Sequence, residues 1–320
     1  MADSDHPVTF ADIRDARARI ADRVHRTPML TSQTLARQVG GPVFLKAENL
    51  QKTGSFKSRG ATNAIRRLGP EARARGIVTI SAGNHAQAVA YAAGPEQLRC
   101  VVVMPAGAVQ SKVAACRAYG AEVVLHGDIA EAWALFERLQ VEQGLVPVHP
   151  FDHPDVIAGQ GTVGLEIHED VPDAALVIVP IGGGGLISGI ATALRGLNAR
   201  ARIVGVEPTG SNAMRAALAA GHPVRLPRID SIADGLGAPA VSDRTLDVVR
   251  RLVDEVVEVS DAEIIAAIRL VLERAKLLVE PAGAAGVAAL MAGRVPVDHA
   301  STVVVLSGAN VDLERLKGWL

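Results

Sequence analysis

The sequence predicts an α/β fold, and three observations predict it. Short β-branched runs alternate with alanine-rich stretches of helical length from about Ile77 onward. The runs are apolar throughout rather than alternating, the pattern of parallel strands covered on both faces. Three of them lead directly into motifs rich in glycine, asparagine or serine, at the carboxyl ends of strands, where open α/β sheets gather ligands. Parallel sheets flanked by helices are the architecture that satisfies all three.

Taken in chain order, Ile77–Ile80 reads as a strand, followed by a helix over roughly Asn84–Ala93. Cys100–Met104 is the next strand, before a helix beginning near Gln110. Glu122–Leu125 leads into a helix through Trp133 and Leu139. Leu176–Val179, Arg202–Val206 and Thr302–Leu306 repeat the strand pattern. The 21 residues from Ala174 to Leu194 carry no charge, a length nominally able to cross a bilayer. Pro180 and the run Gly182–Gly185 inside it would leave backbone groups unpaired in lipid. That stretch therefore reads as a strand, a glycine turn and a helix.

Length, charge and cysteines set the outer bounds. A chain of 320 residues makes about two domains or one large one. No linker, charge block or repeat marks a boundary. The net charge of −1, with acids and bases interspersed, gives no purchase for nucleic acid or a membrane surface. Cys100 and Cys116 form neither a disulfide framework nor a metal spacing, which suits a reducing cytoplasm. The start, Met1-Ala2-Asp3-Ser4-Asp5, is acidic and polar, unlike a signal peptide.

Four motifs carry candidate chemistry. Lys57, in Ser55-Phe56-Lys57-Ser58-Arg59-Gly60-Ala61, is one of only six lysines against 27 arginines. A desolvated lysine loses its proton and becomes an amine nucleophile, which arginine does not. Alone, it reads as an ordinary solvated lysine at a helix start. Gly182–Gly185, after a strand and before a helix, places bare backbone amides at a helix N-terminus, a phosphate cradle. No P-loop lysine accompanies it, which argues against nucleoside triphosphate hydrolysis. A dinucleotide reading stays open, with Glu207 as the acidic ribose partner, and so does a plain packing turn. Ser81-Ala82-Gly83-Asn84-His85 combines hydroxyl, amide, imidazole and backbone donors able to hold a carboxylate, or simply caps a helix. Ser307-Gly308-Ala309-Asn310 is a strand-end turn of the same double meaning.

Together these segments resemble the fold-type II pyridoxal-phosphate enzymes, specifically the serine/threonine dehydratase and serine racemase group. Val156–Thr162, Ala233-Asp234-Gly235 and Glu280-Pro281-Ala282-Gly283 join them in the family's order across nearly the whole chain. The resemblance implies two open, mostly parallel twisted sheets flanked by helices, like the tryptophan synthase β subunit. Residues 1–75 and 151–320 would form a large cofactor-binding domain, and 76–150 a small mobile domain closing over substrate. Lys57 would anchor pyridoxal phosphate covalently and then serve as general base at Cα. Phe56 would support the ring, Asn84 bond its 3′-oxygen and Ser307 face its nitrogen. Gly182, Gly183, Gly184, Gly185 and Leu186 would bind the phosphate. Ser81, Asn84 and His85 would receive the substrate carboxylate. The implied reaction is β-elimination from L-threonine or L-serine to a 2-oxo acid and ammonia. The alternatives are serine racemisation, a dehydratase for another β-hydroxy amino acid such as 3-hydroxyaspartate, or a non-catalytic cofactor or dinucleotide carrier.

Departures from the family pattern narrow this. Ala82 stands where racemases carry a second serine, the proton donor for the opposite face of Cα, and this favours the dehydratase. The arginine such racemases hold before the helix containing Trp133 is missing too; the first after Asp128 is Arg138. Ala213 stands six residues after Glu207, where cation-binding members have aspartate, so no metal site is expected. Ala309 replaces a common glycine, a strain if its φ were positive. The expected form is a short dehydratase without a C-terminal regulatory domain, a cytoplasmic homodimer or homotetramer.

Overall fold

The computed structural model describes residues 7–320, and the acidic start Met1–Asp5 lies outside the described residues. The strands are β1 (Met29–Thr31), β2 (Val43–Lys46), β3 (Ile77–Ile80), β4 (Cys100–Met104), β5 (Glu122–Leu125), β6 (Val146–Pro147), β7 (Leu176–Pro180), β8 (Arg202–Pro208), β9 (Glu255–Val259) and β10 (Thr302–Val305). The first helices are α1 (Phe10–Ile20), α2 (Gln33–Val39), α3 (Lys57–Arg66), α4 (Pro70–Arg75), α5 (Asn84–Ala93), α6 (Gln110–Ala118) and α7 (Ile129–Gln143). They continue as α8 (Pro154–Asp170), α9 (Gly185–Gly196), α10 (Ala213–Ala220), α11 (Asp243–Leu252), α12 (Asp261–Leu270), α13 (Pro281–Met291) and α14 (Leu313–Lys317).

Two sheets result, as expected. The larger runs β1-β2-β10-β7-β8-β9 and is parallel except for the β1–β2 pair. The smaller runs β5-β4-β3-β6 and is parallel throughout. Strands β3, β4, β7 and β10 are buried along their whole length, which is why their sequences are continuously apolar. Those four were all legible. Strands β1, β2, β6 and β9 were not anticipated: β1 and β6 are too short to show a pattern, and β9 (Glu-Val-Val-Glu-Val) is a half-exposed edge. The 174–194 stretch is indeed strand β7, the glycine turn and α9. No helix among the described residues is long and apolar enough to cross a membrane.

Helices cover both faces of each sheet. In the larger sheet one face is closed mainly by α12 and α13, the other by α8, α9, α10 and α11. In the smaller sheet α7 covers one face, and α5, α6 and α3 cover the other. Helix α3 thus packs Ala61, Ala64 and Ile65 into the core of the small sheet although it precedes β3 in sequence. Its other side lies so close to α8 that a Cβ on Gly159 would fall 2.6 Å from the Arg59 carbonyl oxygen. Strand order reverses beside β3 in the small sheet and between β7 and β10 in the large one. Motif-bearing loops follow all three strands, so both crevices take their lining from the loops singled out in the sequence.

Candidate active site

Lys57 is held by the strand end opposite it. Ser55 bridges Gly308, the Phe56 amide donates to the Ser307 carbonyl at 3.1 Å, and the Ala309 amide donates to Gly54 at 2.8 Å. Lys57 therefore starts α3 at a fixed place beside the end of β10. It is not a solvated helix-start lysine. Its Nζ donates to the Pro150 carbonyl at 2.7 Å and lies 5.1 Å from the centre of the Phe56 ring. Burial pushes its amine down to about 8, against the opposing charge of Glu280. Two residues on, Arg59 is fully buried and bonds Glu48 through Nε and Nη2, each at 2.8 Å, and Glu166 through Nη1 at 2.7 Å. Lys46 reaches the same Glu166 at 2.6 Å. This paired network fastens the first turn of α3 to α8.

The glycine run is an open amide cradle. Gly184 has φ +91°, which lets the chain turn from β7 into α9. A Cβ on Gly183 would stand 2.2 Å from the Phe151 ring, so the residue must be bare for that ring to close over it. No side chain caps α9, and among the described residues the amides from Gly182 to Ile187 meet no acceptor. Leu186, in the first turn of α9, is buried in the adjoining core. Unsatisfied amides at a helix start are an anion site.

Helix α5 begins in the same manner. Its N-cap is Gly83, and neither Ser81 nor Asn84 caps it. Ser81 instead accepts the Gly83 amide at 3.1 Å, outside the helix. The amides of Asn84, His85 and Ala86 meet no acceptor among the described residues. The Asn84 side chain donates to Glu280 Oε1 at 2.5 Å and accepts from Asn310 Nδ2 at 2.8 Å. The His85 ring requires a correction. It is buried, with Nε2 2.9 Å from the Val148 carbonyl, and burial pushes it down to about 3, so it is neutral. Nε2 thus holds the chain after β6, while Nδ1 is buried without a partner among the described residues. The backbone amide of His85, which meets no acceptor either, is the donor it offers a carboxylate.

Ser307 is buried just past β10, and its hydroxyl has no partner among the described residues. Ala309 is not among the residues of positive φ, so the feared strain is absent. Glu207 is a second correction: its carboxylate accepts the Met214 and Arg215 amides at 2.8 and 2.9 Å, capping α10. A carboxylate so engaged is not free to bind a ribose, which removes the support for the dinucleotide reading.

Two parts of the site escaped the sequence reading. Glu280 stood in a quoted segment without a role, yet it is buried against Asn84, and burial pushes its carboxyl up to about 7. An acid placed between apolar Val279 and Pro281-Ala282-Gly283 was the available signal. The loop His149–His153 supplies both Pro150 and Phe151. Its shape comes from His149 Nδ1 accepting the Asp152 amide at 2.8 Å, and from its ring meeting Phe151 edge-on at 4.7 Å. No periodicity betrays such a loop.

Comparison with known proteins agrees with this geometry. The profile of the family described as PALP, pyridoxal-phosphate dependent enzyme, matches residues 20–308. The L-threonine ammonia-lyase of Thermotoga maritima is 44% identical over 310 residues, covering 97% of this chain and 77% of that one. The catabolic L-threonine dehydratase TdcB of Escherichia coli K12 is 42% identical, covering 98% and 96%. Among solved structures, maize serine racemase superposes with a TM-score of 0.93 at 41% identity, covering 98% and 97%.

Proposed function

The chain belongs to the family of pyridoxal-phosphate dependent enzymes, and we propose that Lys57 is the residue through which it holds and uses that cofactor. The residues present fit the group. Lys57 offers a desolvated amine for its carbonyl carbon, the Gly182–Leu186 amides a bare cradle for its phosphate, and Ser307 an unpartnered hydroxyl for its ring nitrogen. The protein is a pyridoxal-phosphate dependent ammonia-lyase acting on β-hydroxy amino acids. We assign it L-threonine and L-serine as substrates, and a 2-oxo acid plus ammonia as products.

When bound, the cofactor supplies an electron sink that makes the Cα–H bond of an amino acid acidic. The chain supplies the rest. Lys57, its amine brought down to about 8 by burial, takes the Cα proton as general base in its deprotonated form. The open amides of α5, with the Ser81 hydroxyl, receive the substrate carboxylate. Asn84 has one N–H left for the 3′-oxygen. Phe56, its ring centre 5.1 Å from the Lys57 amine, would support the cofactor ring. Ser307 presents a neutral hydroxyl rather than a carboxylate, which leaves less charge drained into the ring and favours prompt elimination. The small sheet, spanning 77–147, carries α5, and its movement against the large one is our reading of how substrate is enclosed. A homodimer or homotetramer in the cytoplasm is part of the same proposal, the buried free cysteines being consistent with that compartment.

One observation carries the reading: a desolvated lysine amine in the crevice bounded by two helices, α5 and α9, that no side chain caps. The likeness to a serine racemase favours a second reading. Ala82 weighs against it, since a methyl group has no proton to give to the far face of Cα. A panel of β-hydroxy amino acids, assayed with added pyridoxal phosphate, tests both at once. We expect 2-oxo acid from L-threonine or L-serine, residual serine remaining L, and a fall of about a thousandfold in Lys57→Ala. Accumulation of D-serine without 2-oxo acid would replace elimination by racemisation.

A further inference from the structure

Two loops of the large sheet hydrogen-bond Asn84 of the small one from either side. Asn310, past β10, donates to the Thr53 carbonyl at 2.7 Å and to Asn84 Oδ1 at 2.8 Å. Both its N–H bonds are thereby used, and its orientation is fixed. Gly54 admits it: a Cβ there would stand 2.6 Å from Asn310 Oδ1. On the other side Asn84 Nδ2 donates to Glu280 Oε1 at 2.5 Å. Glu280 is seated in turn, its amide donating to the Gly308 carbonyl at 3.0 Å. A Cβ on Gly308 would come within 2.3 Å of the same carboxylate oxygen, so that glycine makes room for the acid.

A carboxamide can sit either way round, and the two ways offer a ligand opposite chemistry. Here only one is allowed. Turned over, Asn84 would put its NH₂ against the Asn310 NH₂ and, when Glu280 is ionised, its oxygen against that carboxylate, both repulsive pairs. Asn310 and Glu280 both belong to loops of the large sheet, whereas Asn84 belongs to α5 on the small one.

We propose that Glu280 and Asn310 are positioning residues that orient the Asn84 amide, so that its second N–H, and not its oxygen, is presented to the 3′-oxygen of pyridoxal phosphate. The proposal rests on the cofactor reading above and gives it a geometry. It separates two duties of Glu280: accepting one hydrogen bond, which a glutamine amide oxygen also does, and carrying a charge.

Titrating apoprotein with pyridoxal phosphate tests it, following tryptophan emission and the visible absorbance of the bound cofactor. Asn310→Asp keeps the shape and loses both donors. It and Glu280→Ala should each bind about tenfold more weakly, the worth of one buried hydrogen bond. Both should also move the absorption maximum, because the 3′-oxygen loses its donor. Glu280→Gln should stay within about threefold of wild type. Variants that bind and absorb like wild type overturn the proposal, and so does Glu280→Gln behaving like Glu280→Ala. Thermal unfolding of each apoprotein separates orientation from folding. We expect a fall of no more than about 4 °C; a larger fall with proportionate loss of binding assigns these residues to structure alone and also overturns it. If wild type itself fails to take up pyridoxal phosphate, the cofactor reading falls instead.

Discussion

Glu280 shows how a single burial sets a pH dependence. In the unfolded chain its carboxyl ionises at the ordinary value of 4.5, and in the fold at about 7. Between those values the folded state holds a proton that the unfolded state has released, so stability falls as pH rises through that window. Glutamine has the neutral shape and no proton to lose. The stability of wild-type apoprotein relative to Glu280→Gln should therefore decline from pH 4.5 to 7, by on the order of 3 kcal/mol, and be flat above. Urea unfolding at a series of pH values measures it; a difference independent of pH would mean that burial does not act on this carboxyl. Lys57 shows the opposite side of the same physics. Its sequence context said only that an amine was possible there. Burial among the enclosing loops turns that possibility into an amine near 8.

The elements are placed by contacts that no single segment encodes. Helix α3 carries Lys57 at its first position and Arg59 at its third, and Arg59 is the bolt. Its guanidinium meets two carboxylates, from Glu48 and Glu166, with Lys46 balancing the second. Breaking a buried pair strands the charges left behind, at about 3–5 kcal/mol. Arg59→Met should lower the stability of the apoprotein by that amount in denaturant unfolding, and a loss under about 1 kcal/mol would show the network to be ornamental. Arg59→Lys should recover only part, because an ammonium lacks the planar fork that serves both carboxylates. Strands β3, β4, β7 and β10 were legible because burial on both faces makes their sequences continuously apolar. The edge strand β9 and the two-residue β6 were hidden, since an edge has a polar side and a short strand has no period. The helix starts were legible too, and at α9 the glycine run also read as a cradle for phosphate. At α5, where Ser81 or Asn84 could equally have been a cap, only the fold reveals that no side chain caps the helix and its amides stay open.

Across the whole molecule, the two sheets meet over one site, and a ligand held there should fasten them together. Pyridoxal phosphate at a hundredfold excess over its dissociation constant should add about 2.7 kcal/mol to stability. For a chain of this size that raises the thermal midpoint by about 5 °C. Lys57→Ala should show a clearly smaller rise in the same scan, and equal rises would remove Lys57 from the binding site. The sequence by itself determined the fold class, the positions of the buried strands along the chain and the motifs we assign to the site. Those are local facts: burial on two faces dictates apolar runs, and open amides at a helix start dictate glycine. Only the tertiary structure decided that the His85 ring is neutral and faces Val148, that Glu207 caps a helix, and that Glu280 joins Asn84. Each of those depends on which remote segment stands opposite, and a side chain's charge and hydrogen-bond partner are set by that neighbour rather than by its own position in the chain.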